Sequence, residues 1–283
     1  MEIKILEEIT IRELTNVFNK AFADYTVKVH LTEENMLIKM KAENILLHNS
    51  VGAFIENNLI GFILIRIDSY NGKNIAYNGG TGVIPEYRGN KMTNKMYSFI
   101  SPVLKSKNIH HHQLEVISQN TIALKVYENL GFSKLRTLSC LKGRINTNQK
   151  INNIPIVSLD SVGSNVFKFW NKNPSWQNSS YTVARTTKAN RIVGAFQNKK
   201  LIGYIIYSPE TGRIMQFGVD KESRRMGVGK ALFFYTQNEL KENEMIIINV
   251  DKEDKETILF LEHAGLQNYI EQFEMLQQFY LPL

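Results

Sequence analysis

The sequence predicts an α/β protein made of two similar halves, and three observations carry that reading. Apolar residues recur with helical spacing in some segments and as short unbroken runs in others. The short runs come in pairs around polar turns, as strands do. The whole order of elements then appears a second time, with corresponding residues at a nearly constant separation. A chain of 283 residues exceeds the usual size of one domain, so two domains of roughly 140 residues fit its length.

In the first half, Thr10 can cap a helix running to about Phe22, with Leu14, Val17, Phe18 and Phe22 on one stripe. A second helix is expected before the strands. Val51 to Ile55 and Leu59 to Ile67 read as paired strands about the turn Glu56-Asn57-Asn58, and Ala76 to Val83 as a third strand. The helix after Arg88 carries Met92, Met96, Phe99, Ile100 and Val103, and Pro102 is expected to kink it or end its first segment. Gln113 to Ile117 reads as a strand and Thr121 to Leu130 as a helix stopped by Gly131. Phe132 to Leu141 gives the last strand of this half.

The polar stretch from Gly143 to Asn153 reads as a linker, which places the domains at 1–145 and 146–283. Beyond it, Ile192 to Phe196 and Leu201 to Tyr207 flank the turn Asn198-Lys199-Lys200. Ile214 to Val219 leads into a helix beginning near Arg225. Met245 to Val250 is another strand, and Glu253 to Ala264 a helix ended by Gly265. Val83 aligns with Val219, Arg88 with Arg224 and Gly131 with Gly265, which marks an internal repeat.

These residues bring the chain to a known family. Arg224-Arg225-Met226-Gly227-Val228-Gly229 matches in full the Arg/Gln-x-x-Gly-x-Gly/Ala loop of the GCN5-related N-acetyltransferases. The first copy departs from it: Arg88-Gly89-Asn90-Lys91-Met92-Thr93 has lysine and threonine where the glycines belong. The family's second pattern, Asn-x-x-Ala-x-x-x-Tyr-x-x-x-Gly-Phe, is complete in the first copy as Asn120, Ala123, Tyr127, Gly131 and Phe132. In the second copy those slots hold Asp254, Thr257, Leu261, Gly265 and Leu266. The chain therefore resembles a tandem member of this family over nearly its whole length. The resemblance implies two acetyltransferase-like domains, each a mixed, mostly antiparallel sheet flanked by helices. It implies acetyl-CoA as co-substrate and transfer of an acetyl group to a primary amine in a ternary complex.

The residues suit that chemistry. A loop feeding a helix N-terminus offers unpaired backbone N–H groups and positive potential to a pyrophosphate. The candidate coenzyme contacts in the first copy are Val83, Arg88, Gly89, Asn90, Lys91, Met92 and Thr93, with Asn120 as a helix cap that can also reach the pantetheine arm. In the second copy they are Val219, Arg224, Arg225, Gly227, Val228, Gly229 and Lys230. An alkyl amine is mostly charged at neutral pH, near the reference value of about 10.4, so a base must take its proton. Glu115, between Leu114 and Val116 on a strand expected to be buried, is the candidate base. Tyr127, two helical turns past Asn120, is the candidate acid for the departing thiolate. The second copy has Asn249 and Leu261 at those slots, so it keeps a coenzyme loop without the proton-handling pair, and the first domain is expected to be the catalytic one. Two readings compete: a non-catalytic acyl-CoA-binding or sensing module, and an interaction protein that has kept the fold as a scaffold and binds no CoA.

Other features point elsewhere less strongly. The net charge of +7 comes from scattered Lys and Arg rather than a basic block, which argues against nucleic acid as partner. The tract His110-His111-His112 has no Cys or spaced carboxylates beside it, so it reads as solvated loop histidines at a helix-to-strand turn, and no metal is expected. Cys140, the sole cysteine, cannot form an internal disulfide, and lacks a His partner for nucleophilic duty. Trp170 and Trp176 are expected to pack a core or a lid. The absence of a long apolar run or a signal-peptide pattern, together with that single thiol, leads to the expectation of a cytoplasmic protein with no membrane partner. The acceptor is an amine on a small molecule or a peptide, and neither its identity nor the oligomeric state is written in the sequence.

Overall fold

The computed structural model describes residues 1–70, 73–145, 154–186 and 189–279. They form two compact units, one of Met1–Leu135 with the terminal segment from Phe273, the other of Arg136–Gln272.

Unit 1 begins with β1 (Glu2–Ile5), α1 (Ile11–Ala21) and α2 (Glu33–Glu43). Thr10 caps α1, its hydroxyl accepting from the Glu13 N–H at 3.2 Å, and Leu14, Val17 and Phe18 form the buried stripe read from the sequence. The strands β2 (Val51–Ile55), β3 (Asn58–Tyr70) and β4 (Lys73–Val83) follow, then α3 (Met92–Ser106), β5 (Ile109–Ile117), α4 (Thr121–Asn129) and the start of β6 (Ser133–Gly143). The strands lie in the order β1-β2-β3-β4-β5, antiparallel except for β4 and β5, which are parallel. Alternation along β3 gives the sheet two apolar faces. Phe62 and Leu64 pack with Leu14, Phe18 and Met36 of α1 and α2, whereas Ile63 and Ile65 pack with Met96, Ile100 and Leu104 of α3.

Pro102 does not interrupt α3, which continues to Ser106. Ile100 and Leu104, on either side of it, are both fully buried, so tertiary packing holds the two turns together. The carbonyl that loses its helical partner belongs to Ser98, which is exposed.

Unit 2 contains β6 from Arg136, β7 (Ile156–Leu159), α5 (Ser180–Arg185), β8 (Arg191–Gln197), β9 (Lys200–Tyr207), β10 (Arg213–Val219), α6 (Val228–Leu240), β11 (Met245–Asp251) and α7 (Lys255–Ala264). Its strand order is β6-β11-β10-β9-β8-β7, again with one parallel pair, β10 and β11. One core joins α6 and α7 to Val193, Ile205, Ile214 and Ile247, and a second sets Val166, Phe169 and Val183 against Tyr204 and Ile206. Gly265, at φ +109°, stops α7 as read, and Gly131, at φ +88°, follows the end of α4.

The units divide the chain differently from a single cut at 145. Leu141 and Ile145 are buried in the core of unit 2. The last strand, β12 (Leu266–Gln278), ends in unit 1, where Met275 and Phe279 pack with Leu114, Val116 and Tyr127. Apolar burial, rather than the polar stretch, sets the boundary. Most of that stretch, residues 146–153, lies outside the described residues.

Candidate active site and coenzyme cleft

In each unit the site is made by two parallel strands that pair briefly and then part. In unit 1 the pairing runs from Asn74↔Ile109 to Tyr77↔Gln113; in unit 2 it covers Arg213↔Ile246 and Ile214↔Ile247. A bulge stands at the same place in both. The β3–β4 register slips at Gly79 between Leu64↔Gly80 and Ile65↔Asn78, and the β9–β10 register slips at Met215 between Ile214↔Tyr207 and Gln216↔Ile206. An extra residue bends a strand and re-aims its side chains.

Beside the parting strands of unit 1 stands a small polar cluster facing α3 and α4. Asn78 Nδ2 donates to Thr81 Oγ1 at 2.7 Å and to the Tyr97 hydroxyl at 2.8 Å. Tyr127 joins it: 8% exposed, its ring edge-on to Tyr97 and Phe132, its hydroxyl hydrogen-bonded to Thr81. Burial pushes the Tyr127 phenol above its ordinary value and that of Tyr97 further still. Tyr127 is therefore a protonated, neutral donor at neutral pH.

Glu115 accepts a hydrogen bond from the Tyr77 hydroxyl. Its neighbours Leu114 and Val116 lie in the same core as Tyr127, so strand alternation turns the carboxylate to the opposite face of β5. The structure thus gathers Tyr127 with Thr81, Asn78 and Tyr97, and Glu115 with Tyr77, on the two sides of one strand. Tyr77, Asn78, Thr81 and Tyr97 were not singled out from the sequence. The glycines at 79, 80 and 82 were the available signal, since a glycine-rich strand interior marks a bulge or close approach.

Asn120 caps α4, its Oδ1 accepting from the Ala123 N–H at 3.1 Å, and its side chain also hydrogen-bonds Tyr25. Burial raises the Tyr25 phenol, and that hydrogen bond opposes the shift. In the loop between β4 and α3, Gly89 takes φ +78° and Lys91, at the α3 N-cap, φ +53°. Asn90 bonds the Tyr87 and Arg88 carbonyls at 3.3 and 3.2 Å; Met92 is buried and Thr93 half-buried in the first helical turn. Arg88 is engaged inside the protein: Nε donates to the Val83 carbonyl at 3.1 Å, Nη2 to the Ala21 carbonyl at 2.9 Å, and both Nη atoms to Asp24. Arg224 repeats the pattern in unit 2, bonding the Val219 and Phe169 carbonyls at 3.4 and 2.8 Å, Glu256 at 2.8 Å and Asn171 at 2.9 Å. Both arginines brace the loop with their guanidinium groups.

The unit 2 loop turns through Arg225 at φ +62° and Gly227 at φ +87°, the α6 N-cap. Val228, Gly229 and Lys230 form the first turn, whose N–H groups have no helical partner. Gly229 is small for a second reason: a Cβ there would come within 3.0 Å of the Phe260 ring. Between this loop and the parting strands lies a cleft of about 530 Å³, lined by Trp170, Gln216, Gly218, Asn249 and Phe260 among others. Trp170 donates to the Tyr204 hydroxyl at 2.7 Å, so it braces the cleft wall. At the slot matching Tyr127, Leu261 is fully buried in the core.

The histidine tract is corrected. His110, His111 and His112 lie on β5, and His112 is fully buried among Tyr97, Phe132 and Phe279. Burial pushes it down to about 3, so it is neutral. Among the described residues no three His, Cys, Asp or Glu side chains are grouped to hold a metal ion, and no helix is long and apolar enough to cross a membrane. Cys140 is buried.

The comparisons with known proteins agree with the architecture. The model of the acetyltransferase (GNAT) family matches residues 10–132 and 163–266. A tandem GNAT protein from the clavulanic acid biosynthesis pathway shares 10% identity over 98% of this chain and 98% of its own, with a TM-score of 0.71. A GCN5-related N-acetyltransferase from Sphaerobacter thermophilus shares 13% over 94% and 91%, at 0.67. One from Anabaena variabilis shares 14% over 97% and 72%, at 0.60. At these identities the structures speak for the fold alone. No match was found among curated proteins. With both repeats matched by the family model and both built on the same pair of parting strands, the chain belongs to the acetyltransferase (GNAT) family.

Proposed function

We propose that the chain moves an acetyl group from acetyl-CoA to a primary amine in one ternary complex, with the chemistry in unit 1. The observation that carries this reading is the placement of Tyr127. Its neutral phenol is held by Thr81 beside the opening between β4 and β5, while Glu115 stands on the other side of β5, next to Tyr77. The coenzyme would be held by the N–H groups of the turn from Lys91 to Thr93 and by Asn120, and it supplies the acyl carbon and a thiolate leaving group. Glu115 takes the proton the amine must lose before it can attack. Tyr127 gives a proton to the leaving sulfur as the carbon–sulfur bond breaks. The amine approaches from the Glu115 face, so base and acid need not touch; each serves one side of the reacting carbon. Positioning by rigid strands provides most of the rate.

Unit 2 holds a second acyl-CoA without transferring its acyl group. Its cleft, its turn at Gly227 and its free N–H groups suit a pyrophosphate, while Asn249 and Leu261 supply neither base nor acid. That observation also favours a competing reading, in which the whole chain binds acyl-CoA as a sensor. Thiol release from acetyl-CoA across a panel of small-molecule and peptide amines separates the two. The enzyme reading expects turnover with at least one amine, reduced in Tyr127→Phe and Glu115→Gln. Turnover close to wild type in both variants removes these residues from the mechanism, and tight binding with no turnover on any amine favours the sensor.

A further inference from the structure

The cleft of unit 2 is lined by a buried carboxamide, Asn249. Asn249 stands on β11, whose register with β6 slips between Ile247↔Leu141 and Val250↔Ser139, and its own φ is +60°. The extra residue takes its side chain out of the strand's alternation. The residue is 2% exposed. Its Oδ1 accepts from Gln272 Nε2 at 2.9 Å and from Cys140 Sγ at 3.6 Å, which sets the orientation of the carboxamide. Its Nδ2 is buried and, among the described residues, has no hydrogen-bond partner, although Asn249 lines the cleft. Buried donors are nearly always satisfied, because leaving one unmade is costly.

Two other carboxamides that line the cleft have their amide nitrogens engaged. Asn178 Nδ2 donates to the Ile248 carbonyl at 2.7 Å, and Gln216 Nε2 to the Asn178 carbonyl at 2.6 Å. Among the described residues Asn249 alone of the three has an amide nitrogen that makes no hydrogen bond, and it stands the same distance ahead of the α7 cap, Asp254, as Glu115 does of the α4 cap, Asn120.

We propose that Asn249 Nδ2 donates to the acyl carbonyl oxygen of an acyl thioester in the unit 2 cleft, so that this unit selects acyl-CoA over free CoA. The proposal rests on the reading of that cleft as a coenzyme site. A neutral donor matches a neutral carbonyl oxygen and has nothing to accept from an ammonium, so the group that serves an amine in unit 1 is replaced here by one that serves the acyl group. Cys140 and Gln272, which hold Oδ1, are positioning residues for that donor.

Acetyl-CoA and CoA are titrated separately into the full chain by calorimetry, with Gly227→Val identifying the isotherm that belongs to this cleft. The wild type is expected to bind acetyl-CoA about fivefold tighter than CoA there, the range of one net hydrogen bond. Asn249→Ala and Asn249→Asp are expected to abolish the preference while CoA affinity stays within about twofold, which also shows that the cleft has kept its shape. A wild-type cleft without preference overturns the proposal, as does equal weakening of both ligands or a preference that survives both variants. If Gly227→Val alters neither isotherm, the coenzyme reading of the cleft is what fails, and this is visible before any Asn249 variant is made.

Discussion

Arg88 meets Asp24 through two hydrogen bonds, 2.6 and 2.8 Å long, and ties the end of α1 to the loop that precedes α3. The hydrogen bond to the guanidinium, with its charge, holds the Asp24 carboxyl below its ordinary 3.8. A carboxyl depressed in the folded state adds stability above its unfolded value and loses it as pH falls through the folded one. The pair is therefore expected to survive below pH 3.8 and to open only in stronger acid. Carboxyl NMR should show the Asp24 midpoint below 3.8 in the wild type and back near it in Arg88→Ala. An unshifted wild-type midpoint would deny the pair in solution.

Tyr127→Phe removes a hydroxyl that is bonded to Thr81. Turnover is expected to fall about 100-fold, against a stability loss of about 1 kcal/mol. Because burial raises this phenol, the wild-type pH profile should carry no descending limb from it below about pH 10. Steady-state rates and urea unfolding on the same variant separate the catalytic effect from the structural one.

Glu115→Gln keeps the size of the side chain and can still accept from Tyr77. Turnover is expected to fall about 100-fold or more at neutral pH and to recover in part as pH rises, because free amine then replaces the missing base. A loss independent of pH would make Glu115 a positioning group.

His112 is buried and neutral, with its value pushed down to about 3. In the unfolded chain it takes a proton near pH 6.5. Between those values the unfolded state holds the extra proton, so stability should decline as pH falls, by up to about 1.4 kcal/mol per pH unit. His112→Leu is expected to flatten that acid-side slope in urea titrations at several pH values. An unchanged slope would mean that other groups produce it.

Gly227 takes φ +87° at the start of α6. Gly227→Ala is expected to cost about 1 to 2 kcal/mol through left-handed backbone alone. Gly229 has no such φ but lies against Phe260, so Gly229→Ala should be paid for in packing and be partly rescued by Phe260→Leu. Thermal melts of the single and double variants test both, and equal effects without rescue would contradict the assignment.

The second repeat was legible because its loop spells the family motif, and the first because Asn120, Ala123, Tyr127 and Gly131 keep theirs; Asn120 and Thr10 cap their helices as read. The polar cluster of Asn78, Thr81 and Tyr97 was not legible. Those residues are separated along the chain and meet only where a bulge at Gly79 re-aims β4. His112 was misread for a related reason: β5 begins at Ile109, earlier than its apolar run suggests, and brings the histidine into the core.

By itself the sequence determined the two repeats and the order of most of their elements, though not the strands β1, β7 and β12, because periodicity, capping and motif spacing are local properties. Tertiary structure decided that Met275 and Phe279 pack in the core of unit 1, that Arg88 and Arg224 brace their loops, and that Asn249 keeps a donor beside a cleft. Each of these depends on which distant groups share one buried space, where every apolar surface and hydrogen-bonding atom must find a partner.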